Sequence, residues 1–209
     1  MAEKLLPMEN VVAVGVSYED YLEHYASDFY EWIDGVVIKM TPIHERHDLL
    51  TAYLRAIFDI YFALKPFGIV RSAPFSMKLE AVPSTREPDL QVILNENPFY
   101  TPTGMQGPAD LCIKVVSLES IERDHGTKLG EYEKGGVGEY WIIDPLRREA
   151  RFMRLDKLEG RYLAYREDEN GDYQSPNLPG LLLHVPTLWL DPLPNPLQIA
   201  DAIKAMVAE

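Results

Sequence analysis

Hydrophobic positions along the chain change their spacing several times, and each change marks an element. After Ser17, whose hydroxyl can cap a first turn with Asp20 three residues on, the stretch YEDYLEHYASD reads as a short helix. FYEWIDGVVIKM then reads as two short strands around the turn pair Asp34-Gly35. From His44 onward Leu50, Tyr53, Leu54, Ile57, Phe58 and Tyr61 recur at three- and four-residue spacing, which predicts an amphipathic helix ending before Pro66 and Gly68.

Beyond that helix the pattern turns strand-like. GIVRSAPFSMKLE, PDLQVIL and DLCIKVVS are apolar runs separated by loops rich in Pro, Gly, Thr and Asn. RDHGTKLGEYEKG, residues 123–135, carries helix formers and stops at Gly135-Gly136, although Gly126 and Gly130 each weaken the preference by about 1 kcal/mol. VGEYWIIDP is a strand closed by Asp144-Pro145, EARFMRLD and RYLAYRED form a meander, and NPLQIADAIKAMVAE is a last helix. Strands, helix, strands, helix, strands in that order predict a mixed α/β domain without regular βαβ winding.

Bulk properties narrow the class of protein. A length of 209 residues with 46 % hydrophobic content suits one domain, with a core over about 17–165 and a C-terminal extension over 166–209. The single cysteine, Cys112, cannot close an internal disulfide, and no cysteine-histidine cluster is spaced for zinc. With no apolar run approaching the roughly 20 residues of a membrane span, a cytoplasmic protein is expected. The 33 acidic against 20 basic side chains give a net charge of −13, which disfavours non-specific coating of nucleic acid. A local cationic or metal-filled cleft can still engage a phosphate.

One charge interrupts an otherwise buried pattern. In PADLCIKVVSLES, alternation puts Cys112, Lys114 and Val116 on one strand face and Ile113, Val115 and Ser117 on the other. A lysine there needs a carboxylate, an anion or water for its head group, unless its stem runs out to the surface from an edge strand. Asp89, directly after Pro88, is a candidate partner or a simple strand-start aspartate. Asp124, Lys128 and Tyr132 are spaced four apart, a stripe equally consistent with a surface ion pair on a helix. His47 lies beside the apolar stripe of its helix, and Glu31 sits in the first strand of the hairpin.

Together YEWIDGVVIKMTPIHERH, REPDLQVI, PADLCIKVVSLES and RDHGTKLGEYEKGGVGEYWIIDP resemble the restriction endonuclease family abundant in cyanobacteria, within the PD-(D/E)xK nuclease superfamily. The resemblance runs from about residue 17 to the final strands. It implies a restriction-endonuclease-like fold, a mixed central sheet flanked by helices, and a nuclease that cuts DNA with Mg²⁺ and pairs as a homodimer. Asp89 matches the metal-binding aspartate and Lys128 the catalytic lysine relocated to a helix. Asp124 and Tyr132 match the positions flanking that lysine, and Glu31 and His47 match the N-terminal part of the site.

At one position the chain departs from the family. Where its relatives read like DLVIEVLSPST, with a second metal-binding glutamate, this chain carries Lys114. An ammonium a few ångströms from a divalent ion costs on the order of 1 to 4 kcal/mol, so metal affinity should fall at least tenfold. Two expectations follow: a metal-dependent nuclease impaired by Lys114, or a nuclease fold kept as a binding or assembly module in which Lys114 pairs with Asp89.

Overall fold

The structure, a computed structural model, describes residues 11–26, 30–39, 45–82, 84–117 and 126–208. The strands in chain order are β1 (Val11–Val14), β2 (Tyr30–Ile33), β3 (Val36–Lys39), β4 (Gly68–Ser72), β5 (Ser76–Leu79), β6 (Ser84–Arg86), β7 (Leu90–Leu94), β8 (Tyr100–Thr101), β9 (Gly104–Met105), β10 (Leu111–Val115), β11 (Glu139–Asp144), β12 (Glu149–Asp156), β13 (Arg161–Tyr165), β14 (Asp172–Gln174) and β15 (Leu182–His184). The helices are α1 (Tyr18–His24), α2 (Glu45–Leu64), α3 (Lys128–Gly135) and α4 (Pro196–Val207).

Local chemistry explains the clearest elements. Ser17 caps α1 by accepting the Asp20 N–H. In the β2–β3 hairpin Asp34 and Gly35 both have positive φ, 47° and 80°, which matches the twist of a two-residue hairpin turn. The α2 stripe, His47, Leu50, Leu54, Ile57, Phe58, Tyr61 and Phe62, is buried along one face. Gly136, at φ 82°, ends α3 in the left-handed conformation that glycine adopts without penalty.

Six strands form the main sheet in the order β13-β12-β11-β10-β7-β4, with β10 and β11 parallel and the other neighbours antiparallel. Seven short strands form a second sheet, β1-β3-β2-β6-β5-β9-β8. GIVRSAPFSMKLE therefore divides between two sheets, β4 joining the first and β5 the second.

The faces of β10 separate two cores. Leu111, Ile113 and Val115 pack with Leu90, Val92, Trp141 and Ile143 under α2 and α4. Cys112 and Val116 point the other way, into a cluster with Met77, Leu79, Tyr132, Tyr140 and Ile142. Each buried aliphatic side chain contributes about 1.5–3 kcal/mol, so this alternation fixes the register of β10.

The chain's C-terminal part is woven into the first core. Leu181, Leu183, Val185 and Leu188 are buried there, as are Ile199 and Ile203 of α4. A buried Glu139 ties this part to β11, accepting from Trp141 Nε1 at 3.1 Å, Tyr173 Oη at 3.0 Å and Asn177 Nδ2 at 2.9 Å, and from Ser175 Oγ. No described helix is long and apolar enough to cross a membrane.

Candidate functional site

Two buried charge clusters meet along one short stretch, Arg86-Glu87-Pro88-Asp89. Arg86 ends β6 in the seven-stranded sheet, and Leu90 begins β7 in the six-stranded sheet. The three residues between them carry the chain across the seam of the two sheets.

Asp89 anchors the first cluster. The antiparallel register pairs Leu90 with Ile113, so Asp89 arrives level with Lys114. Lys114 Nζ donates to Asp89 Oδ1 at 2.8 Å, the Val115 N–H donates to Oδ2 at 2.6 Å, and His47 Nε2, from the first turn of α2, lies 3.2 Å from Oδ2. Asp89, Lys114 and His47 are 8, 6 and 9 % exposed, so water cannot replace these partners. Burial alone would raise the Asp89 pKa, but the Lys114 ammonium and then His47 outweigh it and hold the carboxyl below the usual carboxylate range. With Nε2 at Asp89, His47 Nδ1 is buried without a hydrogen-bond partner among the described residues.

Arg86, 2 % exposed, centres the second cluster. It donates from Nε to Glu131 Oε2 at 2.7 Å and from Nη1 to Glu31 Oε1 at 3.4 Å. Burial opposes its charge, yet Glu31 and Glu131 keep it a cation. Lys128 Nζ, in the first turn of α3, lies 3.6 Å from the same Glu31 oxygen. Tyr132, one turn further on, is buried edge-on against Tyr140 with centroids 4.8 Å apart, and burial drives its phenol pKa well up.

Glu87 links the clusters. It accepts from Tyr21 Oη at 2.7 Å. Burial and the Glu31 charge raise its pKa to about 7, against the lowering effect of the Tyr21 hydrogen bond and of Lys128.

Of the sequence candidates, the structure thus brings Asp89, Lys114 and His47 into one contact group and Glu31 with Lys128 into another. Tyr132 is buried close enough to Arg86 and Glu31 to feel both charges. Asp124 lies outside the described residues. Arg86, Glu87 and Glu131 were not singled out from sequence. Arg86 and Glu87 sit inside the REPDLQVI stretch itself, and Glu131 lies between Lys128 and Tyr132, so position within the matching stretches was the available signal.

The Mg²⁺ that the nuclease resemblance implies does not fit these residues. Both Asp89 oxygens are engaged by Lys114, His47 and the Val115 N–H, and the facing strand position holds an ammonium in place of a second oxygen ligand. Among the described residues, no group of three His, Cys, Asp or Glu side chains is arranged to hold a metal ion.

Comparison with known proteins agrees with the architecture. No curated protein matches the chain. It superposes on the crystal structure of "a putative nuclease belonging to DUF820" from Anabaena variabilis with a TM-score of 0.62 at 14 % identity, covering 77 % of this chain and 89 % of that one. At that identity the likeness establishes the fold, a nuclease-like mixed α/β arrangement. The family model Uma2, described as "Putative restriction endonuclease", matches residues 18–186, and the stretch includes both charge clusters. The chain therefore belongs to the Uma2 family.

Proposed function

We propose that this chain is a nuclease-family protein directed at DNA whose metal-dependent hydrolysis of phosphodiesters is impaired by Lys114. The observation that carries this reading is the contact of Lys114 Nζ with Asp89 Oδ1 at 2.8 Å, both side chains being more than nine-tenths buried. A cation already occupies the carboxylate that a divalent ion would need, and an ammonium and Mg²⁺ repel each other at that range. Lys128 beside Glu31 retains a cation able to stabilise charge on a phosphate. Asp124, Tyr132 and His47 complete the set of residues assigned to this site.

Calorimetry and plasmid cleavage test this reading. Wild type should give no heat on Mg²⁺ addition and little cleavage with Mg²⁺ or Mn²⁺. Lys114→Glu should gain metal binding and cleavage, and adding Asp89→Ala should abolish both. Tight Mg²⁺ binding by the wild type, or vigorous cleavage abolished by Asp89→Ala, would overturn the reading.

A second reading, a binding or assembly module with no hydrolysis, is favoured by the same buried pair, which leaves both charges satisfied. It is separated from the first by Lys114→Glu binding metal and DNA yet cutting nothing. A homodimer belongs with either reading: Leu190 and Leu197 remain 51 % and 78 % exposed near the C-terminus, and sedimentation reads the mass directly. The cytoplasmic assignment rests on the lone cysteine, which suits a reducing compartment, and fractionation of cells tests it.

A further inference from the structure

A cavity of about 150 Å³ lies beyond the end of β11, lined by Arg46, Pro145, Arg148, Trp189 and Asp191. Three separate segments build it. Arg46 comes from the first turn of α2, Pro145 and Arg148 from the β11–β12 loop, and Trp189 and Asp191 from the 3₁₀ turn Val185–Trp189 and the residues after it.

Each wall is held by its own contacts. Arg46 Nη2 donates to the Leu188 carbonyl at 2.7 Å, which keeps the guanidinium beside Trp189. In the loop, buried Asp144 accepts the N–H groups of Leu146 and Arg147 at 3.0 Å each and pairs with Arg147 Nη1 at 2.9 Å. Arg147 is thereby neutralised, whereas its neighbour Arg148 lines the cavity with no salt bridge to another described residue. Trp189 packs part of its ring on the first core and leaves the remainder to the cavity.

Position connects this cavity to the Asp89 cluster. Lys114 is paired with Ile142 across the parallel β10 and β11, and Pro145 comes three residues later, about 10 Å further along the strand. Arg46 directly precedes His47, which touches Asp89. The cavity and the buried pair thus share the carboxyl-terminal end of the parallel strands, where ligands of open α/β sheets bind.

We propose that this cavity is a nucleotide subsite, with a base stacked on Trp189 and the adjoining phosphate held by Arg46 and Arg148. Guanidinium groups match phosphate oxygens in paired hydrogen bonds, and an aromatic face accepts any base. A void of this size accepts an aromatic ring. On a chain with net charge −13, Arg148, with no salt bridge to another described residue, localises the attraction for a phosphate in this cavity. Asp191, also in the lining, weakens that attraction and so limits affinity. The inference rests on the nucleic-acid reading of the fold but not on turnover, because a subsite binds whether or not Asp89 can hold a metal.

The test uses the full chain and a fluorescein-labelled single strand of about eight nucleotides, followed by anisotropy, with dAMP as a second probe read by tryptophan fluorescence. Trp189→Leu and Arg148→Ala should each weaken strand binding about tenfold, and Arg148→Ala should reduce the slope of log K against log salt by about one. Arg147→Ala should leave affinity unchanged, and Asp191→Asn should tighten it. If dAMP binds in an Arg148-dependent way and the strand does not, the occupant is a free mononucleotide and the subsite stands. Strand binding equal in wild type, Trp189→Leu and Arg148→Ala overturns the subsite and leaves the nucleic-acid reading intact. Binding of neither probe overturns the subsite. Metal calorimetry on Lys114→Glu reads the Asp89 site separately, so the two proposals fail independently.

Discussion

Lys114 Nζ stands 2.8 Å from Asp89 Oδ1, although the two residues lie on different strands and each is more than nine-tenths buried. Removing one member leaves the other charge in a low-dielectric interior, which costs about 3–5 kcal/mol, whereas removing both leaves little to desolvate. Lys114→Ala should therefore lower the urea unfolding free energy by that amount. Lys114→Met combined with Asp89→Asn should recover most of it. A double variant no more stable than the single one would mean that the pair is not the source of the loss.

Arg86 lies between Glu31 and Glu131, with Lys128 sharing Glu31. Arg86→Met takes the guanidinium away from buried Glu31 and part-buried Glu131, leaves Lys128 beside Glu31, and should destabilise the fold by about 3 kcal/mol. Arg86→Lys should rescue less than half of this, since one ammonium cannot reproduce the fork of donors. Thermal unfolding of the three proteins side by side checks the ranking; equal midpoints for Arg86→Lys and wild type would contradict it.

Glu87 makes stability depend on pH in a direction opposite to that of Asp89. Its pKa rises from the ordinary 4.5 to about 7, first through burial. Between those values the folded chain keeps a proton that the unfolded chain releases, so this group lowers stability as pH rises through the window. Glu87→Gln, which still accepts from Tyr21, should flatten that part of the curve and gain about 1 to 3 kcal/mol at pH 8. Denaturant melts at several pH values measure it, and parallel curves for variant and wild type would refute the assignment.

Asp89, held below the usual carboxylate range, contributes stability that is present above its unfolded pKa and fades as pH falls through the folded one. The signature is acid unfolding at lower pH in wild type than in Lys114→Met, scored by circular dichroism. Coincident acid transitions would show that Lys114 does not hold the carboxylate.

Glu139 accepts from Trp141, Tyr173, Ser175 and Asn177, and Arg154, its register partner on β12, enters this network only through the Tyr173 hydroxyl. Glu139→Gln should cost about 2–4 kcal/mol, because its amide must turn one donor toward groups that also donate. Amide exchange should quicken first around residues 173–177, which this carboxylate ties to β11. Unchanged exchange there would remove Glu139 as the tether.

What the sequence determined by itself was local. The spacing of Leu50, Leu54, Ile57, Phe58 and Tyr61 made α2, Asp34-Gly35 closed the first hairpin, and alternation along β10 put Lys114 opposite Ile113 and Val115. These follow from the period of a helix or strand, which neighbouring residues fix without outside help. The C-terminal run LLLHVPTLWLDPLPNPL reads either as a self-association surface or as Leu188 and Trp189 closing the core, and the fold buries Leu181, Leu183, Val185 and Leu188 in that core with Trp189 packed against it. Tertiary structure alone decided that GIVRSAPFSMKLE divides between two sheets and that REPD crosses their seam. It also decided that Arg86 sits between Glu31 and Glu131, which no spacing encodes. Contacts between residues 25 to 55 positions apart depend on which strands pair, and that choice is made by burial of whole faces against one another.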